Sequence, residues 1–154
     1  MICKVFWILP EGAVRLGIMP RPRGGEWLGD EIHSLQSQGV HMLVSLLTDD
    51  EVSELELTDE ARHCSEAGID LRSFPITDRR VPRDSVAVRR FVGDVHQASA
   101  RGATVVLHCR GGIGRASITA ALVLNCHGVP VSEAFQSIAA ARGCTVPDTA
   151  AQAE

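Results

Sequence analysis

Residues 105–117, Val-Val-Leu-His-Cys-Arg-Gly-Gly-Ile-Gly-Arg-Ala-Ser, constrain this chain more than any other stretch. An apolar run ends in His108-Cys109, a glycine-rich turn follows, and Arg115 opens an apolar helical pattern. Strand, tight turn and helix in that order gather backbone N–H groups and the positive end of a helix dipole into one concavity, which is an anion site. Gly111, Gly112 and Gly114 let the backbone approach the anion and allow positive φ where the turn needs it. The planar fork of Arg115 suits two oxygens of one phosphate. Arg110, Gly111, Gly112, Ile113, Gly114 and Arg115 are therefore the candidate phosphate-binding residues. Cys109, at the floor of the loop beside a helix start and an arginine, is expected to react as a thiolate nucleophile.

The rest of the chain alternates strands and helices. Residues 3–9 read as a strand, and residues 14–18 as a second closed by Pro20. Residues 27–38 read as a helix whose apolar face carries Trp27, Leu28, Ile32 and Leu35. A buried strand is expected over 40–47. Thr48 then caps a short helix with an acidic first turn, and another helix runs from Thr58 to Ala67. Residues 69–74 are a strand, 75–84 a polar loop bounded by prolines, and 85–100 a long helix. Residues 104–107 form a strand apolar enough to be covered on both faces. The helix over 115–127 is apolar nearly all round, and the last helix spans 131–142. The expected class is α/β, a central mostly parallel sheet flanked by helices, with the cysteine loop at a strand C-terminal end, where ligands sit in such folds.

A length of 154 residues suits one domain spanning 1–154, with 143–154 as a tail lacking periodicity. The net charge of −4 argues against nucleic acid and anionic membrane surfaces as partners. Residues 5–9 are too short an apolar run for a signal sequence or a membrane span. The cysteines at 3, 64, 109, 126 and 144 show neither zinc nor disulfide-framework spacing. A reducing, cytoplasmic setting follows, with Cys3, Cys64 and Cys126 as small core residues. No metal and no cofactor is called for, and the oligomeric state is not legible. The glycines are not followed by Gly-Lys-[Ser/Thr], which argues against a Walker-type nucleotide loop.

His108-Cys109, five residues, then Arg115 resembles the signature of the cysteine-dependent protein tyrosine phosphatases. The short chain looks like their compact dual-specificity branch, of the cyclin-dependent-kinase-inhibitor-associated type, over about residues 27–142. The resemblance implies hydrolysis of phosphomonoesters through a phosphocysteine, with a phosphorylated protein or peptide as substrate, phosphotyrosine foremost and dual specificity as an option. It implies that His108 orients the loop, and that an aspartate on a preceding loop serves as general acid. Asp78 lies 31 residues before Cys109 and follows a strand, as in compact members. Asp84, which looks like a helix cap, and Asp70, inside a strand, are the alternatives. Arg110 either meets a phosphopeptide or is simply solvated.

One residue departs from the family pattern. A hydroxyl residue usually follows the signature arginine and stabilises the departing sulfur. Here that place holds Ala116, and Ser117 comes one position, about 100° of helix, later. Slow breakdown of the phosphocysteine is the expected consequence, unless the loop lets Ser117 reach the sulfur. Two other readings of the chain remain: a non-catalytic phosphoresidue-binding module and a rhodanese-like sulfur transferase.

Overall fold

The computed structural model describes residues 3–8, 15–77 and 85–143. Among them five strands form one sheet in the order β1-β2-β5-β3-β4, with β1 at Phe6–Ile8, β2 at Arg15–Pro20, β3 at Met42–Ser45, β4 at Asp70–Ser73 and β5 at Thr104–Cys109. Only the β1–β2 pair is antiparallel; β2–β5, β5–β3 and β3–β4 are parallel. The expected α/β class therefore holds. The strand that carries the cysteine is central.

Helices cover both faces. On one side lie α4 (Ser85–Ala100), α5 (Arg115–Cys126) and α6 (Val131–Arg142), whose Val92, Val95, Ala120, Val123, Ala134 and Ile138 pack against Ile18, Val44, Val105 and Leu107. On the other lie α1 (Leu28–Ser37) and α3 (Glu60–Glu66), with Leu28, Ile32, Leu35 and Cys64 against Met19, Leu43 and Val106. β5 shows why its sequence is apolar without alternation: every residue from Thr104 to Cys109 is buried, odd and even positions facing different cores. That period of two sends Cys109 toward the α4–α6 side and His108 toward α1 and α3.

Between β3 and α3, Thr48 caps α2 (Asp49–Glu54) as its sequence predicts, in a capping box with Glu51 at the third helical position. Several other expectations need correction. Trp27 is not on the buried face of a helix: it ends a 3₁₀ turn over Gly25–Trp27, is 48% exposed, and lies under the Arg23 guanidinium, which satisfies the indole face outside the core. β2 runs through Pro20, which lies opposite Cys109 in the register, rather than stopping before it. Cys3 and Cys64 are buried as expected, but Cys126, in the last turn of α5, is exposed. α3 starts at Glu60, two residues later than Thr58 suggests. Among the described residues no helix is long and apolar enough to cross a membrane.

Candidate active site

The loop between β5 and α5 is built from both ends. β5 delivers Cys109, 2% exposed, to the carboxyl edge of the sheet, and Gly114 is the N-cap of α5. The Gly112 amide donates to the Cys109 sulfur at 3.3 Å. Gly112 has φ +74°, and a Cβ there would lie 2.5 Å from the Met19 carbonyl carbon and 2.7 Å from the Pro20 nitrogen. The end of β2 thus presses on the turn, and only glycine satisfies both the backbone angle and the space. The Arg21 amide closes the contact by donating to the Arg110 carbonyl at 3.2 Å.

Arg115, 1% exposed, begins α5 and reaches across the top of the sheet. Its Nη1 donates to Glu51 Oε1 at 2.6 Å and to the Ile76 carbonyl at 2.8 Å, and its Nη2 donates to Glu51 Oε2 at 3.0 Å. Glu51, which the sequence marks only as part of a cap, is thus the partner of Arg115. The same Oε1 also accepts from the Thr48 amide and hydroxyl, so the capping box aims the carboxylate at the arginine. Burial by itself pushes the Glu51 carboxyl up. The hydrogen bonds from Arg115 and the Thr48 amide outweigh that and hold it below the ordinary glutamate range, as an anion.

His108 is fully buried on the opposite face, its Nε2 2.7 Å from Glu60 Oε2. Glu60 stands in the first turn of α3 and is 3% exposed. A buried carboxyl group fixes the imidazole's orientation one residue before Cys109, and nothing in the sequence marks Glu60 for that place. Of the predicted loop residues, Arg110 turns outward and pairs with Glu54 at 3.4 Å and Glu51 at 3.8 Å. Ala116 and Ser117 are fully buried in the first turn of α5. Asp78 and its alternative Asp84 lie outside the described residues. Asp70 is exposed on β4, paired with Arg72.

Two other buried cysteines offer a contrast. Burial first, then Glu31, pushes the Cys3 thiol up to about 12, and burial with Glu60 does the same to Cys64, to about 12. Both stay protonated, so neither competes as a nucleophile. Among the described buried cysteines, Cys109 alone has a glycine-loop amide on its sulfur. Among the described residues no group of three or more His, Cys, Asp or Glu side chains is placed to hold a metal ion. One loop thus carries a buried sulfur with a backbone amide on it at one end and a buried guanidinium, oriented by Glu51, at the other.

Known proteins share this fold. The fold is similar to that of the kinase associated phosphatase KAP, in a form with its catalytic-site cysteine replaced by serine: TM-score 0.88, 19% identity, covering 99% of this chain and 91% of that one. It is also similar to a putative protein tyrosine phosphatase from Leishmania major, with TM-score 0.73, 23% identity and coverage of 99% and 95%. A third likeness is to the human tyrosine phosphatase-like serine/threonine/tyrosine-interacting protein, with TM-score 0.69, 17% identity and coverage of 95% and 88%. No protein of curated function matches the chain at a significant level. Residues 5–149 match the domain family described as PTP-SAK, Swiss Army Knife protein, DSP-PTPase phosphatase domain, and with nearly its whole length inside that match this chain belongs to the dual-specificity-type phosphatases.

Proposed function

We propose that the chain dephosphorylates phosphotyrosine in proteins, with the thiolate of Cys109 as nucleophile, the amides of residues 111–114 and the fork of Arg115 as phosphate clamp, and Asp78 as general acid. The observation that carries the reading is the Gly112 amide directed at the Cys109 sulfur at 3.3 Å, with Arg115 oriented by Glu51 at the end of the same loop. A phosphate monoester seated on the amides puts its phosphorus over the sulfur. The Cys109 thiolate attacks in line, the P–O bond to the leaving oxygen breaks, and Asp78 gives that oxygen a proton. Asp78, now a carboxylate, takes a proton from water as that water attacks phosphorus. The P–S bond breaks, and inorganic phosphate leaves with the thiolate restored.

Arg115 has five N–H groups in one plane. Glu51 engages both terminal nitrogens and the Ile76 carbonyl engages Nη1, which fixes the plane and direction of the guanidinium at the end of the loop. Support for Asp78 is positional: Ile76, two residues earlier, is itself a hydrogen-bond partner of Arg115. The four described cysteines are all free thiols, which favours a reducing, cytoplasmic setting.

Turnover of p-nitrophenyl phosphate by the wild-type chain and by Cys109→Ser tests the chemistry. A phosphopeptide panel comparing tyrosine with serine and threonine tests the substrate. Turnover that survives Cys109→Ser, or vanadate-insensitive activity that responds to thiosulfate, would remove the reading. Equal rates on all three phosphoresidues would replace tyrosine preference by dual specificity.

A further inference from the structure

Three consecutive peptide units of the loop are gripped from outside by other parts of the chain. The Arg110 carbonyl accepts from the Arg21 amide at 3.2 Å. The Gly111 carbonyl accepts from Arg142 Nη2 at 2.9 Å, and the Gly112 carbonyl from Arg142 Nε at 3.4 Å. A planar trans peptide points its N–H opposite its C=O, so holding a carbonyl outside turns the next residue's N–H to the other side. The unit joining Gly111 to Gly112 has both ends engaged: its oxygen is on Arg142 and its N–H is on the Cys109 sulfur. The same relation turns the Ile113 amide away from Arg142.

A peptide between two glycines is the one that rotates most easily, because no Cβ resists it. Arg142 supplies the resistance. It is the last residue of α6, and its guanidinium lies 4.1 Å from the Phe6 ring centroid, so the fork is held between β1 and the loop. Two donors in a rigid plane meet two adjacent carbonyls, a match that a single ammonium does not reproduce.

We infer that Arg142 is a positioning residue for the phosphate loop: it never meets substrate, but it keeps the amides of Gly112 and Ile113 facing the oxyanion and so sets the site's affinity for phosphate. The inference rests on the loop being a phosphate cradle, as proposed above. Arg142→Met in the full chain is expected to raise the inhibition constant of inorganic vanadate and lower kcat/KM for p-nitrophenyl phosphate, each on the order of 10²-fold, the scale of losing an oxyanion-hole donor. Arg142→Lys, keeping charge and length but not the fork, is expected to fall between Met and wild type. Both variants are measured where circular dichroism shows them folded. A folded Arg142→Met chain with wild-type vanadate affinity and kcat/KM would mean that Arg142 only ties α6 to the sheet, and the inference would be wrong. Where the Met variant does not fold, Arg142→Lys decides by the same two readings, wild-type values overturning the inference. Wild-type protein that ignores vanadate and keeps its turnover in Cys109→Ser would overturn the cradle itself, a result distinct from a vanadate-sensitive wild type unmoved at Arg142.

Discussion

Glu51 and Arg115, 64 residues apart in the chain, meet as a buried two-point ion pair at 2.6 and 3.0 Å. The carboxylate is presented by a helix cap, and the guanidinium by the first residue of α5. Replacing Glu51 therefore acts on both. Glu51→Ala removes the reciprocal half of the Thr48 capping box and takes the carboxylate from a buried cation, a change that costs about 3–5 kcal/mol. A large fall in thermal midpoint is expected. Glu51→Gln keeps the shape and one acceptor, and charge-assisted hydrogen bonds are about twice as strong as neutral ones. We expect it to fold and to lose kcat/KM roughly tenfold. Steady-state kinetics on the folded Gln variant check this, and wild-type values would show the charge to be immaterial.

Acid stability follows from the same pair. Burial alone would raise the Glu51 and Glu31 carboxyls, but hydrogen bonds from Arg115 and the Thr48 amide, and from the Arg23 amide and guanidinium, bring both below the ordinary 4.5. The unfolded chain then binds more protons than the folded one below that value, so stability is present above it and is lost as pH falls through the lower folded values. His127, pushed below its ordinary 6.5 by burial and by His96, adds a loss in the same direction that begins just below that pH. Thermal midpoints recorded from pH 7 to 3 should fall in wild type and fall less steeply in Glu31→Gln; parallel curves would contradict the assignment.

Gly111 and Gly112 are neighbours with opposite tolerances. A Cβ on Gly112 would lie 2.5 Å from the Met19 carbonyl carbon at φ +74°, whereas one on Gly111 meets nothing within 4 Å. Gly112→Ala is expected to cut kcat/KM by about 10²-fold or more through the displaced amide, and Gly111→Ala to stay near wild type. Assaying the two side by side is enough, since the reverse order of damage would refute the geometry.

Ala116 tests the second half of the proposed reaction. Its side chain is fully buried among core residues, and the buried Ser117 hydroxyl has no hydrogen-bond partner among the described residues. A burst of p-nitrophenol followed by a slower steady state is expected in rapid mixing, with Ala116→Ser raising the steady rate. A wild type with no burst, or a serine variant no faster than its parent, would remove the idea that phosphocysteine breakdown limits turnover.

Asp78 is tested by leaving-group dependence. Asp78→Asn is expected to slow phosphotyrosine peptides by about 10²–10⁴-fold, the usual yield of general acid catalysis. It should slow esters of acidic phenols much less, because those leave without a proton. An equal loss on both would assign the acid elsewhere.

The loop was legible because its parts are local. A strand, three glycines and an arginine within 13 residues state their own geometry, and Thr48 with Glu51 states a cap. The supporting contacts were not. Glu51 with Arg115, Glu60 with His108 and Arg142 with Gly111 span 64, 48 and 31 residues, and periodicity reports only which face of its own element a residue shares. Glu51 carried a visible role that concealed a second one. Trp27 misled for a related reason. Its spacing fits the α1 stripe, but the 3₁₀ turn before Leu28 rotates it out to Arg23. Cys126 shows the limit of residue type as a guide to burial: Val123 and Leu124 of the same turn are buried, while Cys126 falls on the exposed side of α5.

The pairing of cations around the loop has a consequence for how a phosphoester arrives. Arg115 is matched by Glu51, and Arg110 by Glu54 with Glu51, so these groups project little unbalanced charge into solvent. On the proposed function, an incoming dianion also meets the peptide dipoles of the turn and the end of α5, fields that fade within the first helical turn. Paired in this way, Arg110 and Arg115 add little steering from a Debye length away, and the proposed cradle acts at short range. It waits for collision and selects at contact, by whether a tetrahedral group of the right size fills the space above the sulfur.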